Sequence, residues 1–501
     1  MTVHVWFAVA CVSAPVKPVD LSHPVTDMKT FRFSAVAACL WASTSLLFIG
    51  AAQAKAYTLD ELLDMARKGN LGLAANTEVT AGIEAQALEA HRSYWPTGDL
   101  LSTVAPVPDI RCQPNDPNAP TGLAYREQHC DGTNFSFQPK QTFSAITDLR
   151  GVFTRTELKI VQPIYTFGKI SAGVNAAELG VEASRSKESG QVADVELNVR
   201  RAYWGAKLAR EMLSMLDEGL DYLNDAQKKI EEELADGSGN ASVTDRLRLR
   251  AMRADIEARA LEARRGADLA KAGLRALIGP SAPADLDVDD APLETQNVPT
   301  RELAAYSDLA LTYRPEVKAL DKAVAAKRAL ADLEWRRQYP DLVLLGTATY
   351  AYASSIDHPS NAFASNPFNT SGVGVAAALR VPLDLLVKNA HAHRLRAEAR
   401  EAELRRNDAL GGINFEVEKA YTEMKEAEQR LKTVQKGEKA TRQWIAAIMQ
   451  NISVGLAETK DFSDALLAFF QARVRCLQGL YDHNIAVASL TRVSGVDVTK
   501  N

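Results

Sequence analysis

Val152–Ile170 reads VFTRTELKIVQPIYTFGKI, and within it one kind of structure gives way to another. Val152, Thr154, Thr156, Leu158 and Ile160 fall on one face of an extended chain, with Arg155, Glu157 and Lys159 on the other. Pro163 removes a ladder donor and is expected to end the strand. An aromatic and Gly168 follow, and from Lys169 a helical pattern continues without a breaker. The same switch recurs at Pro382, in LRVPLDLLVKN from Leu379 to Asn389. One chain therefore passes twice, at a proline, from a short strand into a very long helix.

The recurrence extends outward from these junctions. Pro163 and Pro382 are 219 positions apart, VRRAY (Val199–Tyr203) and VEKAY (Val417–Tyr421) are 218 apart, and Gly279 and Gly495 are 216 apart. YWP ending at Pro96 and QYP ending at Pro340 are 244 apart, which locates an insertion of about 25 residues between Pro96 and Pro163 in the first copy. Each copy reads helix, strand, strand, long helix, helix. First helices are expected over 59–94 and 302–339, long helices over 169–234 and 388–452, and return helices over 243–278 and 460–493. Such long helices would reach about 95–100 Å at the usual rise per residue. Leu213, Leu216, Leu220, Leu223, Ile230 and Leu234 step by threes and fours with one gap, the repeat of a left-handed coiled coil. Tyr421, Met424, Leu431, Val434, Ile445 and Ile448 form a looser counterpart.

Four strands are expected, over 98–108, 152–162, 342–353 and 372–381. Val373, Val375, Ala377, Leu379 and Val381 share one face, with Arg380 opposite. Tyr350 and Tyr352 stand where an interfacial aromatic girdle would lie. Segments of about ten residues that alternate apolar with polar suit a membrane barrel with lipid outside and water inside. A soluble sheet with one wet face is the other reading. Four strands cannot close around a channel, and open edges are not tolerated in lipid, so a barrel demands several copies.

Ahead of the repeat, Met28-Lys29-Thr30-Phe31-Arg32 is a short basic start, and 33–50 is almost wholly apolar or small. AAQAKA (Ala51–Ala56) then offers cleavage sites after Ala54 or Ala56, so 1–56 is expected to be an N-terminal extension and a signal peptide, with Met28 as a plausible start; a lone membrane anchor is the alternative. The first repeat would span 57–279, an equatorial linker 280–301, the second repeat 302–495 and a tail 496–501. No transmembrane helix is expected beyond Ala56. A net charge of −5 gives no reason to expect nucleic acid as a partner. Cys112 and Cys130 flank a Pro- and Asn-rich stretch, where a disulfide is plausible in an exported protein; two unpaired thiols are the alternative. Cys476 falls among helical apolar positions.

The duplicated unit, QPIYTFGK (Gln162–Lys169) and VGLAETKDFSDALLA (Val454–Ala468) resemble the outer-membrane efflux protein family, the TolC-type outer-membrane factors. The likeness runs from Tyr57 to Asp497; the second copy departs from it with Asp384 in place of Tyr165 and Val387 in place of Gly168. It implies a mainly α fold with a β part, in which a homotrimer builds an α-barrel periplasmic tunnel joined to a shared twelve-stranded transmembrane β-barrel. Such a protein conducts substrates passively out of a tripartite efflux pump or type I secretion system, bound to a periplasmic adaptor and through it to an inner-membrane transporter. Its localisation would be the Gram-negative outer membrane, in contact with lipid.

That resemblance places the adaptor contact at Val454, Gly455 and Leu456, with a plain helix-breaking turn as the alternative. The first copy has DGSGNAS (Asp236–Ser242) at its own turn. Asp461 and Asp464 match the family's periplasmic gate; three apart on a helix, they would form two acidic rings in a trimer. The alternative is helix capping by Asp461 and a favourable helix dipole for Asp464. Arg155, Glu157, Lys159 and Arg380 would line the lumen of a wide, weakly selective barrel, and Pro163, Gly168 and Pro382 would make the strand–helix junctions. No catalytic motif, cofactor or metal site is expected: the chain carries no HExxH, P-loop or GxSxG. A periplasmic coiled-coil scaffold or adaptor without a pore is the competing function.

Overall fold

The computed structural model describes residues 56–107, 110–114, 135–139, 151–236, 242–299, 301–356, 368–453 and 459–500. Its first half holds α1 (Leu59–Gly69), α2 (Leu71–Arg92), β2 (Thr97–Val107), β5 (Gly151–Tyr165), α3 (Lys169–Asp236) and α4 (Val243–Ile278). The second half repeats the series as α5 (Leu303–Tyr313), α6 (Pro315–Arg336), β7 (Asp341–Ala353), β8 (Thr370–Arg380), α7 (Leu385–Ser453) and α8 (Thr459–Ser494). Corresponding helices match closely in length: 11 and 22 residues in both leading pairs, 68 against 69 in the long helices, 36 in both return helices. A hairpin of β3 (Ile110–Pro114) with β4 (Phe135–Pro139) occupies the longer connection of the first half. β1 (Ala56–Tyr57) pairs in parallel with β6 (Asp287–Val288) of the linker.

Each leading helix is broken in two, where the periodicity predicted one. Asn70 is extended and closes α1 while capping α2: its side chain accepts from Leu73 N at 3.0 Å and donates to Leu277 O at 2.6 Å. Arg314 is extended because Pro315 follows it, and a residue before proline is driven out of the helical region. Both breaks turn the chain from the middle of the molecule toward the sheet. α1 itself is opened by a capping box between Thr58 and Glu61.

Beside the sheet, α3 packs between α2 and α6, and α7 lies against α6. Beyond the middle, α3 pairs with α4 and α7 with α8, and α8 bridges to α3. Two matching cores sit at the middle. In one, Leu62, Val199, Tyr203, Trp204, Leu274 and Val288 are buried together; in the other, Tyr306, Val317, Val417, Met424, Val487 and Leu490. Val199 and Val417, from the repeated pentapeptides, are each wholly buried. A third core along the paired helices joins Leu216, Leu223, Ile256, Leu466 and Phe470. It uses all six coiled-coil positions predicted on α3 but only Ile445 and Ile448 of those predicted on α7, and adds residues of the return helices. Tyr421 and Met424 pack instead in the second of the middle cores.

Candidate functional site

The four long strands form one antiparallel sheet in the order β2-β5-β7-β8. Its register fixes the two faces. Leu158 lies opposite Leu100 on β2 and Ala348 on β7, and Ala348 lies opposite Val373 on β8. Leu100, Val104, Ile160, Leu344, Tyr350, Tyr352, Val375 and Leu379 follow on that same face by alternation. This band is turned to the surroundings in a single chain: Val373 is 85% exposed and Val375 72%. The opposite face carries Arg155, Glu157 and Lys159, with Thr347 opposite Lys159 and Asp341 opposite Arg380. Glu157 is ion-paired to Arg155 and lies 3.7 Å from Lys159, so the charges largely cancel where they stand. All four residues predicted for a lumen thus share one face.

The junctions depart from expectation. Pro163 does not end its strand: β5 continues to Tyr165, and the ladder absorbs the missing donor as a register shift between Pro163 and Tyr165. Phe167 and Gly168 then adopt φ of 52° and 78° in succession, turning the chain into α3. Lys169 anchors the turn, donating to Tyr339 O and to Asp341 Oδ1, both at 2.7 Å. Pro382, by contrast, lies just beyond β8, and its junction closes through Lys388 on Asp384 at 2.6 Å with no left-handed residue. Leu383 and Leu386 are left 92% and 87% exposed there.

At the far end, Asp461 lies in the first turn of α8, and both it and Asp464 are exposed, while Phe462, Ser463, Ala465 and Leu466 between and beside them are buried. The two carboxylates therefore leave the helix on its open side, compatible with a pore ring and with a favourable helix N-terminus alike. Val454, Gly455 and Leu456 lie outside the described residues, as does Cys130, and the side chain of Cys112 on β3 is likewise not described. Cys476 is a buried free thiol whose pKa is pushed up by burial.

The middle of the molecule holds a set of residues that the sequence did not single out. Tyr203 donates to Asp289 at 2.9 Å, Lys207 is ion-paired to Asp289, and Arg210 and Lys271 donate to Asp287 at 2.6 and 2.8 Å. Burial opposes ionisation of both aspartates, yet hydrogen bonds from Lys271 to Asp287 and from Lys207 and Tyr203 to Asp289 outweigh it and hold their pKa values low. In the second half, Glu316 is likewise opposed by burial but held low by Arg492 and Arg314. Arg314 reaches on to Glu416 at 2.5 Å, and Arg492 to Asp194 at 2.6 Å. The visible sign was the acidic run DLDVDD (Asp285–Asp290), whose partners on α3 stand far off in sequence, with Lys271 of α4 nearer at hand. Among the described residues no cluster suits a metal ion, and no helix is long and apolar enough to cross a membrane.

The profile of outer membrane efflux proteins matches residues 152–280 and 306–496, both halves of the repeat. The chain belongs to the outer membrane efflux protein family. Among curated proteins it is 25% identical over 343 residues to the cobalt-zinc-cadmium resistance protein CzcC of Cupriavidus metallidurans, covering 66% of this chain and 75% of that one. Among solved structures the fold matches the outer-membrane channel OprN (TM-score 0.66, 16% identity, 88% of this chain and 90% of that one). It also matches VceC of Vibrio cholerae, an outer membrane protein (TM-score 0.66, 16% identity, 87% and 96%). The protein is thus an outer-membrane efflux channel, with its helices on the periplasmic side.

Proposed function

We propose that three copies close one twelve-stranded barrel in the outer membrane and one helical tunnel beneath it. The observation that carries this reading is the four-stranded sheet, whose edges at β2 and β8 are unpaired among the described residues and which has a continuous exposed apolar face. In lipid an unpaired edge costs several kcal/mol per polar group by order of magnitude, so β8 of one copy must pair with β2 of the next. The same pairing brings α7 of one copy beside α2 and α4 of its neighbour. Exposed apolar residues on these helices, among them Leu404 and Phe415 on α7 and Val79 and Leu261 on α2 and α4, supply the contact. Arg155, Glu157, Lys159 and Arg380 then line the bore.

The tunnel end at Asp461 and Asp464 is the gate in this reading, with Val454, Gly455 and Leu456 meeting a periplasmic adaptor that couples the duct to an inner-membrane transporter. The likeness to a cobalt-zinc-cadmium resistance protein makes divalent metal ions the first cargo to test. Planar-bilayer recording of wild type and the Asp461→Ala, Asp464→Ala double variant tests the gate. The variant should conduct more and lose cation preference; equal conductance and selectivity would leave the two aspartates a helix-terminal role. Electron microscopy of detergent-extracted protein should show a hollow threefold cylinder, whereas compact soluble particles would move the function to a periplasmic scaffold.

A further inference from the structure

Toward the end of the sheet away from the helices, the polar face changes character. Ala105 lies opposite Phe153, Val107 opposite Gly151 and Phe153 opposite Ala353, so Val107, Phe153 and Ala353 share the face of Arg155, Glu157 and Lys159. Arg155 and Lys159 have side chains 46% and 59% exposed. Val107, Ala353 and Ile356 are instead buried, with Phe153 and Phe368 packed on them. The Phe153 and Phe368 rings meet edge to face with centroids 5.8 Å apart.

What covers this face is the chain on either side of the β7–β8 connection, and it is tied down. Asn369 Oδ1 accepts from Ala353 N at 2.7 Å, while its Nδ2 donates to Ile356 O at 3.1 Å. Ser354 Oγ accepts from Val152 N at 3.0 Å. Ser355 presses onto Gly151 so closely that a Cβ there would lie 1.7 Å from the Ser355 hydroxyl, which leaves Gly151 no room for a side chain. Residues 354–356 and 368–369 therefore turn in over the polar face.

We propose that this cluster forms an apolar constriction at the outer mouth of the duct, a second barrier in series with the periplasmic end. The inference rests on the trimeric-barrel reading, in which the polar face is the bore and the end away from the helices is the outer one. A barrel of about eight strands is filled by its own side chains, and one of about sixteen leaves a wide channel. A twelve-stranded bore is intermediate, so three inward-folded copies of Phe153, Ile356 and Phe368 narrow it substantially. An aromatic ring of this kind resists wetting and excludes bulky hydrated solutes approaching from outside. The bore is wide where Arg155, Glu157 and Lys159 line it, and narrow above them.

The test places a single thiol below the constriction, as Lys159→Cys, and labels intact cells with a small maleimide and with polyethylene-glycol maleimides of graded size. The parent chain without the added cysteine sets the background. The small reagent should label Cys-substituted protein, and the bulky ones should not. Phe153→Ser with Phe368→Ser should raise bulky labelling on the order of tenfold by opening and wetting the ring. Asn369→Ala, which replaces no strand residue but removes the side chain that ties Ala353 N and Ile356 O together, releases the fold-over and should do the same. Bulky labelling of Lys159→Cys alone, equal to that in either opened variant, overturns the constriction. Failure of even the small reagent with both opened variants instead overturns the placement of Lys159 in a bore, and with it the barrel reading.

Discussion

Gly168 shows how much of a junction can depend on one residue. At φ 78° a side chain is strained, and its Cβ would stand 2.3 Å from Arg336 Nη1. Gly168→Ala should cost about 1–2 kcal/mol, read as a lower thermal midpoint of the detergent-solubilised protein. The corresponding second-copy position, Val387, has no left-handed φ and needs no such freedom. A different control acts at the middle, where Asp287, Asp289 and Glu316 have pKa values held below the usual carboxylate range. A depressed folded pKa lends stability that is complete above the unfolded value, near about pH 4, and is lost as pH falls through the folded value. The thermal midpoint should therefore drop on acidification below about pH 4, and Asp289→Asn should lower it at neutral pH while flattening that acid slope. An unchanged slope in the variant would remove Asp289 from the acid response.

At the scale of elements, the two long helices are legible because threefold and fourfold spacing of leucines needs only neighbours in sequence. Leu223 is 2% exposed in the core that joins α3, α4, α7 and α8. Leu223→Ala should cost about 2–5 kcal/mol, with loss of protease resistance in the α3–α4 hairpin before that of the sheet. Wild-type melting and proteolysis would show that this core is dispensable. The breaks at Asn70 and Arg314 were hidden inside continuous periodicity. Asn70 is fixed by a carbonyl of Leu277, more than two hundred positions on, which no local pattern contains. Pro315 was a local signal for the second break, and the helical spacing around it masked the turn. Pro163 failed as a strand terminator because a ladder can step over a missing donor by a bulge.

For the whole molecule, the decisive feature is an apolar sheet face that none of the other described residues covers. Val375 offers a clean discrimination between lipid and water as its surroundings. It is 72% exposed in one chain, so a charge there would be nearly free in a soluble sheet. On the lipid face of a barrel Val375→Arg should cost about 2–4 kcal/mol if it lies near the bilayer midplane. The measurement is the fraction of variant recovered as folded protein in outer-membrane preparations against wild type. Equal recovery would argue that this face never meets hydrocarbon.

The sequence by itself determined the duplication, the strand alternation and the helix-forming segments, because each is written in spacing along the chain. The resemblance of QPIYTFGK (Gln162–Lys169) and VGLAETKDFSDALLA (Val454–Ala468) pointed to the family. It also set the acidic pair at 461 and 464 on one helix side, since a three-residue step suffices for that. Only the tertiary structure decided which charges meet in the middle, that Tyr203, Lys207 and Arg210 clasp the linker aspartates, and that Phe153 and Phe368 close over the end of the polar face. Those contacts join residues about 80 to 215 positions apart, and their partners are selected by how the two halves pack rather than by any local periodicity.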